Sequence, residues 1–327
     1  MSAHIAYKLG QLDMALRDPT LDIGQRVFAT LYTQDPAYVF GSFKRLRESD
    51  STPALWKQRI ALMTCAYALV NDQIKVAFEA FNSIDIKAFG ETKDTWSGFY
   101  GSTLQFLAKI LRSPMLARSR ERGKSTVSLI GDSHVMGISG VHDSGVAKYY
   151  VPGIVIKGLA SPLHNHYKQA LINAQANAYS TPHVVHSIGE IDSRGLASSI
   201  AKDSHYWDKT RQGWQQAIEA AYAFIAQHRN PLQRYSVIIP PVPSENVVGK
   251  EATLDRHLIK AVTDATTEFR TFCQQSAEKL DLGQLEYPQD IQTPDGLNAS
   301  QHLLDHAHFT LQVYLKMLVK IKEGEWH

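Results

Sequence analysis

Apolar residues recur at three- and four-residue intervals over the first third of the chain. Leu55, Trp56, Ile60, Met63, Tyr67 and Val70 lie on one stripe, and Ile74, Phe78, Phe81 and Ile84 lie on the next. This is the period of an α-helix with one buried face, and the Asn71-Asp72 pair between the stripes reads as a turn, so a helix pair is expected. Phe99, Leu104, Phe106, Leu107, Ile110 and Leu111 make a further stripe. Asp18-Pro19, Asp35-Pro36 and Thr52-Pro53 punctuate the region as turn signals. Residues 1–115 therefore read as an all-helical domain.

Tetratricopeptide arrays are similar in texture, but no clean self-similarity at their period of about 34 residues is present, so the region stays a bundle or a repeat-like array. Arg112-Ser-Pro114 closes it. Residues 116–124, with Arg118-Ser-Arg-Glu-Arg-Gly-Lys124, read as a basic solvated linker, an anion-binding patch being the alternative. Gly123-Lys124-Ser125 is not a phosphate loop: Arg118 stands where that motif needs its first glycine, and the segment precedes a strand instead of following one.

From residue 125 the pattern alternates. Strands are expected at Thr126–Ile130, within Lys148–Ile156 with an end near Gly158, at His183–Ile188 and at Tyr235–Ile239, where Pro240-Pro241 stops the run. Helices are expected over Pro162–Ala178, around Trp207, Trp214, Ile218 and Ile225, through Leu254, Leu258, Val262, Phe269 and Cys273, and over Thr310–Ile321. Strands separated by helices imply an α/β class with a parallel sheet covered on both faces, a three-layer α/β/α domain over residues 125–327. Ligands of such sheets bind at the carboxyl ends of the strands. Ser133, Gly158 and Gly189 all fall at expected strand ends.

Composition narrows the partners. Among 327 residues, 34 Lys and Arg face 32 Asp and Glu, a net charge of +2, so nothing calls for nucleic acid or an anionic membrane. No uncharged apolar run reaches the ~18 residues of a membrane span, and the N-terminus lacks a signal pattern, so a cytoplasmic location is expected. Cys65 and Cys273 sit in separate amphipathic helices and read as buried apolar residues, not a disulfide or metal pair.

The chemistry concentrates at Val127-Ser-Leu-Ile-Gly-Asp-Ser-His134. An apolar strand ending in a glycine turn leaves Ser133 exposed on a rigid support, where a nucleophile is needed, although Asp-Ser at this point is also a common helix N-cap. Asp305-His-Ala-His308 supplies a general base and an orienting carboxylate. These fragments resemble the SGNH (GDSL-like) hydrolase family. Gly131-Asp132-Ser133 matches its first block, followed by an unusual His134. Gly158 in Ile156-Lys-Gly-Leu-Ala160 fits the second, and Asp305-His-Ala-His308 fits the last. Gly189-Glu-Ile-Asp192 matches the Gly-x-Asn-Asp block except that Ile191 replaces the asparagine; with Arg194 it is similar to a variant form, Gly-Glu-Ile-Asp-x-Arg. The resemblance covers residues 125–327 and implies a serine esterase or acyltransferase with no cofactor. Ser133 attacks the acyl carbon, His308 carries the proton and Asp305 orients the imidazole. The Ser133 and Gly158 backbone amides bind the oxyanion, and Arg194 takes the place of the missing asparagine, its alternative being a salt bridge to Glu190 or Asp192. Asp192 holds loops together. The implied substrate is a small acyl ester, such as O-acetyl on a carbohydrate, with Tyr206-Trp207 as a possible sugar-lining pair and core packing as the competing role of the tryptophans.

Two other classes fit parts of the pattern. Asp132, His134, His306 and His308 have the spacings of a metal-dependent phosphoesterase, and His302 and His306 stand one helical turn apart, but the Gly-Asn-His-Asp/Glu block of that class is missing. Alternatively the helical region binds a protein partner and the hydrolase-like domain is degenerate. His164, His166, His183 and His186 cluster in sequence, but a strand sends His183 and His186 to opposite faces.

Overall fold

The computed structural model describes residues 2–90, 94, 96–113, 116, 125–140, 145–244, 256–294, 296–303 and 308–323. The opening region is helical: α1 (Ala3–Lys8), α2 (Leu12–Arg17), α3 (Ile23–Tyr32), α4 (Pro36–Glu48), α5 (Ala54–Val70), α6 (Ile74–Asn82), α7 (Lys87–Gly90) and α8 (Ser97–Leu111). The punctuation acts as expected. Asp35 caps α4, its Oδ1 accepting from the amides of Ala37 and Tyr38 at 3.0 and 3.2 Å, with Pro36 at the first helical position. Asp72 adopts a left-handed φ of 56° in the turn between α5 and α6.

The second part contains β1 (Val127–Gly131), α9 (Ser133–Ser139), β2 (Val146–Tyr150), α10 (Ile156–Ala160), α11 (His166–Asn177), β3 (His183–Ser187), α12 (Glu190–Lys202), α13 (Tyr206–Gln227), β4 (Arg234–Ile238), α14 (Arg256–Lys279), β5 (Gly283–Leu285) and α15 (Leu311–Glu323). Among the described residues five strands form one parallel sheet in the order β2-β1-β3-β4-β5. The protein is thus α/β. No helix among the described residues is long and apolar enough to cross a membrane.

Alternation along the strands feeds two cores. Val127, Leu129, Val185 and Ile238 join one, together with α9, α15 and most of α4, α5, α6 and α8. Ile130, Val184 and Val237 join the other, with α10–α14 and with alanines, Tyr7, Leu12, Phe28 and Tyr32 of α1–α3. Helix α5 is buried along nearly all of its second half, because it lies against α4, α6 and α8 on one side and against α9 and β2 on the other. Cys65 and Cys273 are buried in α5 and α14, where burial pushes each thiol up to about 12.

Three expectations need correction. The second strand runs over Val146–Tyr150 and not on toward Gly158, because Pro152-Gly153 turns the chain and Ile156–Ala160 becomes helical. Helix α12 and the short strand β5 were not expected.

Candidate active site

The strand order places a reversal at β1: the chain steps to β2 on one side and afterwards to β3 on the other, and in parallel sheets of this kind ligands bind at the carboxyl ends of the two strands at such a reversal, here β1 and β3. Gly131 lets the two strands stay paired to that edge, since a Cβ there would lie 2.3 Å from the Ser187 carbonyl oxygen. Ser133 leaves β1 at this end as the first residue of α9 and is half-buried. Buried Asp132 is the N-cap, its Oδ1 accepting from the His134 amide at 3.0 Å.

Ser133 Oγ lies 2.8 Å from His308 Nε2. With that nitrogen unprotonated, the hydroxyl donates to it. Next to His308, Phe309 forms a bridge with Leu303, and the Thr310 amide donates to the His302 carbonyl at 2.8 Å. The imidazole is buried and stacks on Phe106 of α8, with ring centroids 3.8 Å apart and planes inclined by 11°. Asp305, and His306 of the metal alternative, lie outside the described residues.

Beneath this pair is a layer of buried charge. His134 is fully buried, and its ring centroid is 5.7 Å from that of His308. The hydroxyls of Tyr314 and Tyr287 reach its Nδ1 at 3.0 and 3.3 Å, and its Nε2 is 3.6 Å from Glu190 Oε2. Arg194 grips the same carboxylate from one turn further along α12, Nε at 3.0 Å from Oε1 and Nη2 donating to Oε2 at 3.2 Å. Burial opposes the charge on Glu190, but His134 and Arg194 outweigh it and hold the carboxyl down at about 2. Burial likewise opposes the His134 cation, and the adjoining Glu190 and Asp132 overcome it and raise the imidazole. Burial lifts Asp132 to about 6 against the pull of His134. The Nδ1 of His134 meets the two tyrosine hydroxyls, whereas its Nε2 makes no hydrogen bond, Glu190 Oε2 lying 3.6 Å away; among the described residues no group of three or more His, Cys, Asp or Glu is placed to hold a metal ion. His302 ends a short turn, its ring beside Gln301.

Other expected site residues are placed as follows. Gly158 does not end a strand, and its amide donates to the Val155 carbonyl at 3.1 Å, which removes it as an oxyanion donor. Its lack of a side chain serves packing, as a Cβ would meet the Tyr167 ring at 2.5 Å. The glycine that does follow β2 is Gly153, with φ +71°; the Pro-Gly turn signal was its mark in the sequence. Gly189 caps α12 with φ +99°, close under Pro240. Asp192 Oδ2 accepts from the Ile156 amide at 2.8 Å, joining the first turn of α12 to the start of α10, and burial raises this carboxyl to about 6.

The remaining histidines do not share a site. His183 bonds Ser236 Oγ at 2.8 Å, His186 faces Gln175 at 3.2 Å, and His166 stacks on Tyr7 and Tyr32. Trp207 is buried, its Nε1 donating to Glu268 at 2.6 Å, so it lines no open cleft. The alternative reading of Arg194, a salt bridge to Glu190, is present in the structure. Phe106, Tyr287 and Tyr314 meet the histidines of the site and were not assigned to it from sequence. Clefts of about 850, 680, 470 and 370 Å³ are lined by other residues, near Met14, Tyr38 and Leu163, near Phe40 and Val76, near Arg229 and Tyr235, and near Asp72 and Lys148, respectively.

The chain matches no family model, no curated protein and no solved structure.

Proposed function

We propose that the protein is a serine-dependent ester hydrolase or acyltransferase of the SGNH type, acting on a small acyl ester such as O-acetyl on a carbohydrate. The observation that supports this above the others is the 2.8 Å contact between Ser133 Oγ and His308 Nε2 at the sheet's reversal point. A hydroxyl at hydrogen-bonding distance from a neutral imidazole can lose its proton as it attacks a carbonyl carbon. Ser133 Oγ bonds to the acyl carbon, His308 takes the proton, and the alkoxide of the leaving alcohol recovers it as the C–O bond breaks. Water, or an acceptor alcohol, then repeats the sequence on the acyl-enzyme. Asp305 is assigned to orient His308 on the resemblance alone.

The tetrahedral oxyanion needs donors, each typically worth ~3–4 kcal/mol. The Ser133 amide is the first; as the first residue of α9 it has no partner inside the helix. Arg194 is assigned the place of the missing asparagine. Its Nη2 donates to Glu190 Oε2, its Nε lies 3.0 Å from Oε1, and its side chain is 25% exposed.

The test is covalent labelling by a fluorophosphonate, with the modified residue located by mass spectrometry, together with turnover of p-nitrophenyl acetate. Labelling is expected at Ser133, and Ser133→Ala is expected to abolish turnover while leaving the circular dichroism spectrum intact. Full turnover in that variant removes the proposal.

A further inference from the structure

The helical region's place in the chemistry is not given by the Ser-His motif. We infer that Phe106 is a positioning residue for His308, so that α8 forms a wall of the active site; this rests on the esterase reading of Ser133 and His308.

An imidazole that passes a proton needs its ring plane held in register with the nucleophile. A flat ring stacked on it at 3.8 Å and 11° restricts rotation of that plane. It leaves the edge nitrogens in the plane, with Nε2 aimed at Ser133 Oγ. The aromatic face also carries negative potential, which favours the imidazolium formed when His308 takes the serine proton. The support under Phe106 is rigid. Leu104, Leu107 and Ile110 of α8 are buried beside it, and α8 packs on α5, which in turn packs on α9, the helix that Ser133 begins. Helix α8 also closes on the far end of α9, since a Cβ on Gly140 would meet Ile110 Cγ2 at 2.8 Å. Nucleophile and stacking ring are thus keyed to one helix layer.

Core packing by itself requires only apolar volume at residue 106, whereas positioning requires a flat ring. Phe106→Leu keeps most of the volume and loses the plane; Phe106→Tyr keeps the plane. The full-length chain with ¹⁵N-labelled histidine gives a readout independent of esterase activity, His308 being assigned by its absence in His308→Gln. In Phe106→Leu the ring-proton resonances of His308 are expected to move downfield as the ring current is lost. The kcat for p-nitrophenyl acetate is expected to fall by about ten- to a hundredfold, with KM within about twofold. Phe106→Tyr is expected to keep the wild-type resonances and most of kcat. Should Leu lower the folded fraction, Phe106→Met fills the gap with an adaptable chain. Unmoved His308 resonances in the Leu or Met variant overturn the inference, and so does an unchanged kcat where turnover depends on Ser133. If wild-type turnover survives Ser133→Ala while the resonances move, the esterase reading fails and the stack still positions His308.

Discussion

Asp192 shows how one side chain can join two helix starts and cost stability together. Its Oδ2 accepts the Ile156 amide, yet burial raises its carboxyl to about 6. The folded chain therefore binds this proton more tightly than the unfolded chain does. The stabilising contribution is complete below about pH 4 and is lost as pH rises through about 6, on the order of 2–3 kcal/mol. Asp192→Asn keeps an acceptor oxygen and cannot ionise, so urea midpoints measured from pH 4 to 7 should fall less steeply than in wild type. An identical pH slope refutes this. Glu190 works in the opposite direction at lower pH: held down at about 2, it contributes stability above its ordinary range that fades as pH falls toward 2. Arg194→Ala leaves that carboxylate buried with His134 alone. We expect a loss of roughly 3 kcal/mol in urea unfolding, and a kcat lowered more than KM is raised; Arg194→Lys should restore little, because an ammonium cannot reproduce the fork. An unchanged kcat would take Arg194 out of the oxyanion site. Ser133 was legible as a candidate because a strand, a tight turn and the residue that follows form a local pattern, and His308 because Asp305-His-Ala-His308 resembles a family block. Phe106 was not, because an aromatic residue in a helical stripe has the same pattern whether it meets a leucine or a catalytic ring.

Elements were legible where their pattern was strong. Helices α5, α8, α13 and α14 carry long apolar stripes, and β1, β3 and β4 are short apolar runs with clear stops; α6 forms where expected, but it buries Ala77 and Ala80 while Phe78 of the expected stripe is exposed. Helix α12 escaped notice because Leu196, Ala197 and Ile200 are nearly all of its buried apolar side, set among serines and charges. Strand β5 is only Gly283–Leu285, too short to show a period. The expected second strand was too long because Ile154, Val155 and Ile156 extend the apolar run past a Pro-Gly turn that in fact ends it. The fit between elements gives a direct test. A Cβ on Gly137 would lie 2.2 Å from the Tyr314 ring, which joins α9 to α15. Gly137→Ala should lower stability by about 1–3 kcal/mol through overpacking, and by displacing Tyr314 it should also loosen the hydrogen bond to His134. Thermal unfolding that matches wild type would show that α15 moves aside freely.

At the scale of the molecule, helices from the first 111 residues and the sheet share continuous apolar cores. A buried ion pair joins the two parts: Lys148 Nζ in β2 lies 2.6 Å from Asp72 Oδ1 in the α5–α6 turn, the lysine side chain being only 2% exposed. Asp72→Ala strands that ammonium without a partner and should cost about 3–5 kcal/mol in chemical denaturation; a loss under about 1 kcal/mol would mean that water or another group replaces the carboxylate. The sequence by itself determined the helical first third, the parallel α/β second part and a serine at the end of β1, because periodicity, turn chemistry and strand stops act over a few neighbouring residues. Only the tertiary structure decided that His308 meets Ser133, that Phe106 lies flat on that histidine, that Glu190 is shared by His134 and Arg194, and that Gly158 faces a tyrosine ring instead of ending a strand. These are contacts between residues far apart along the chain, and their geometry is set by how layers of helices settle on a twisted sheet, which no local pattern encodes.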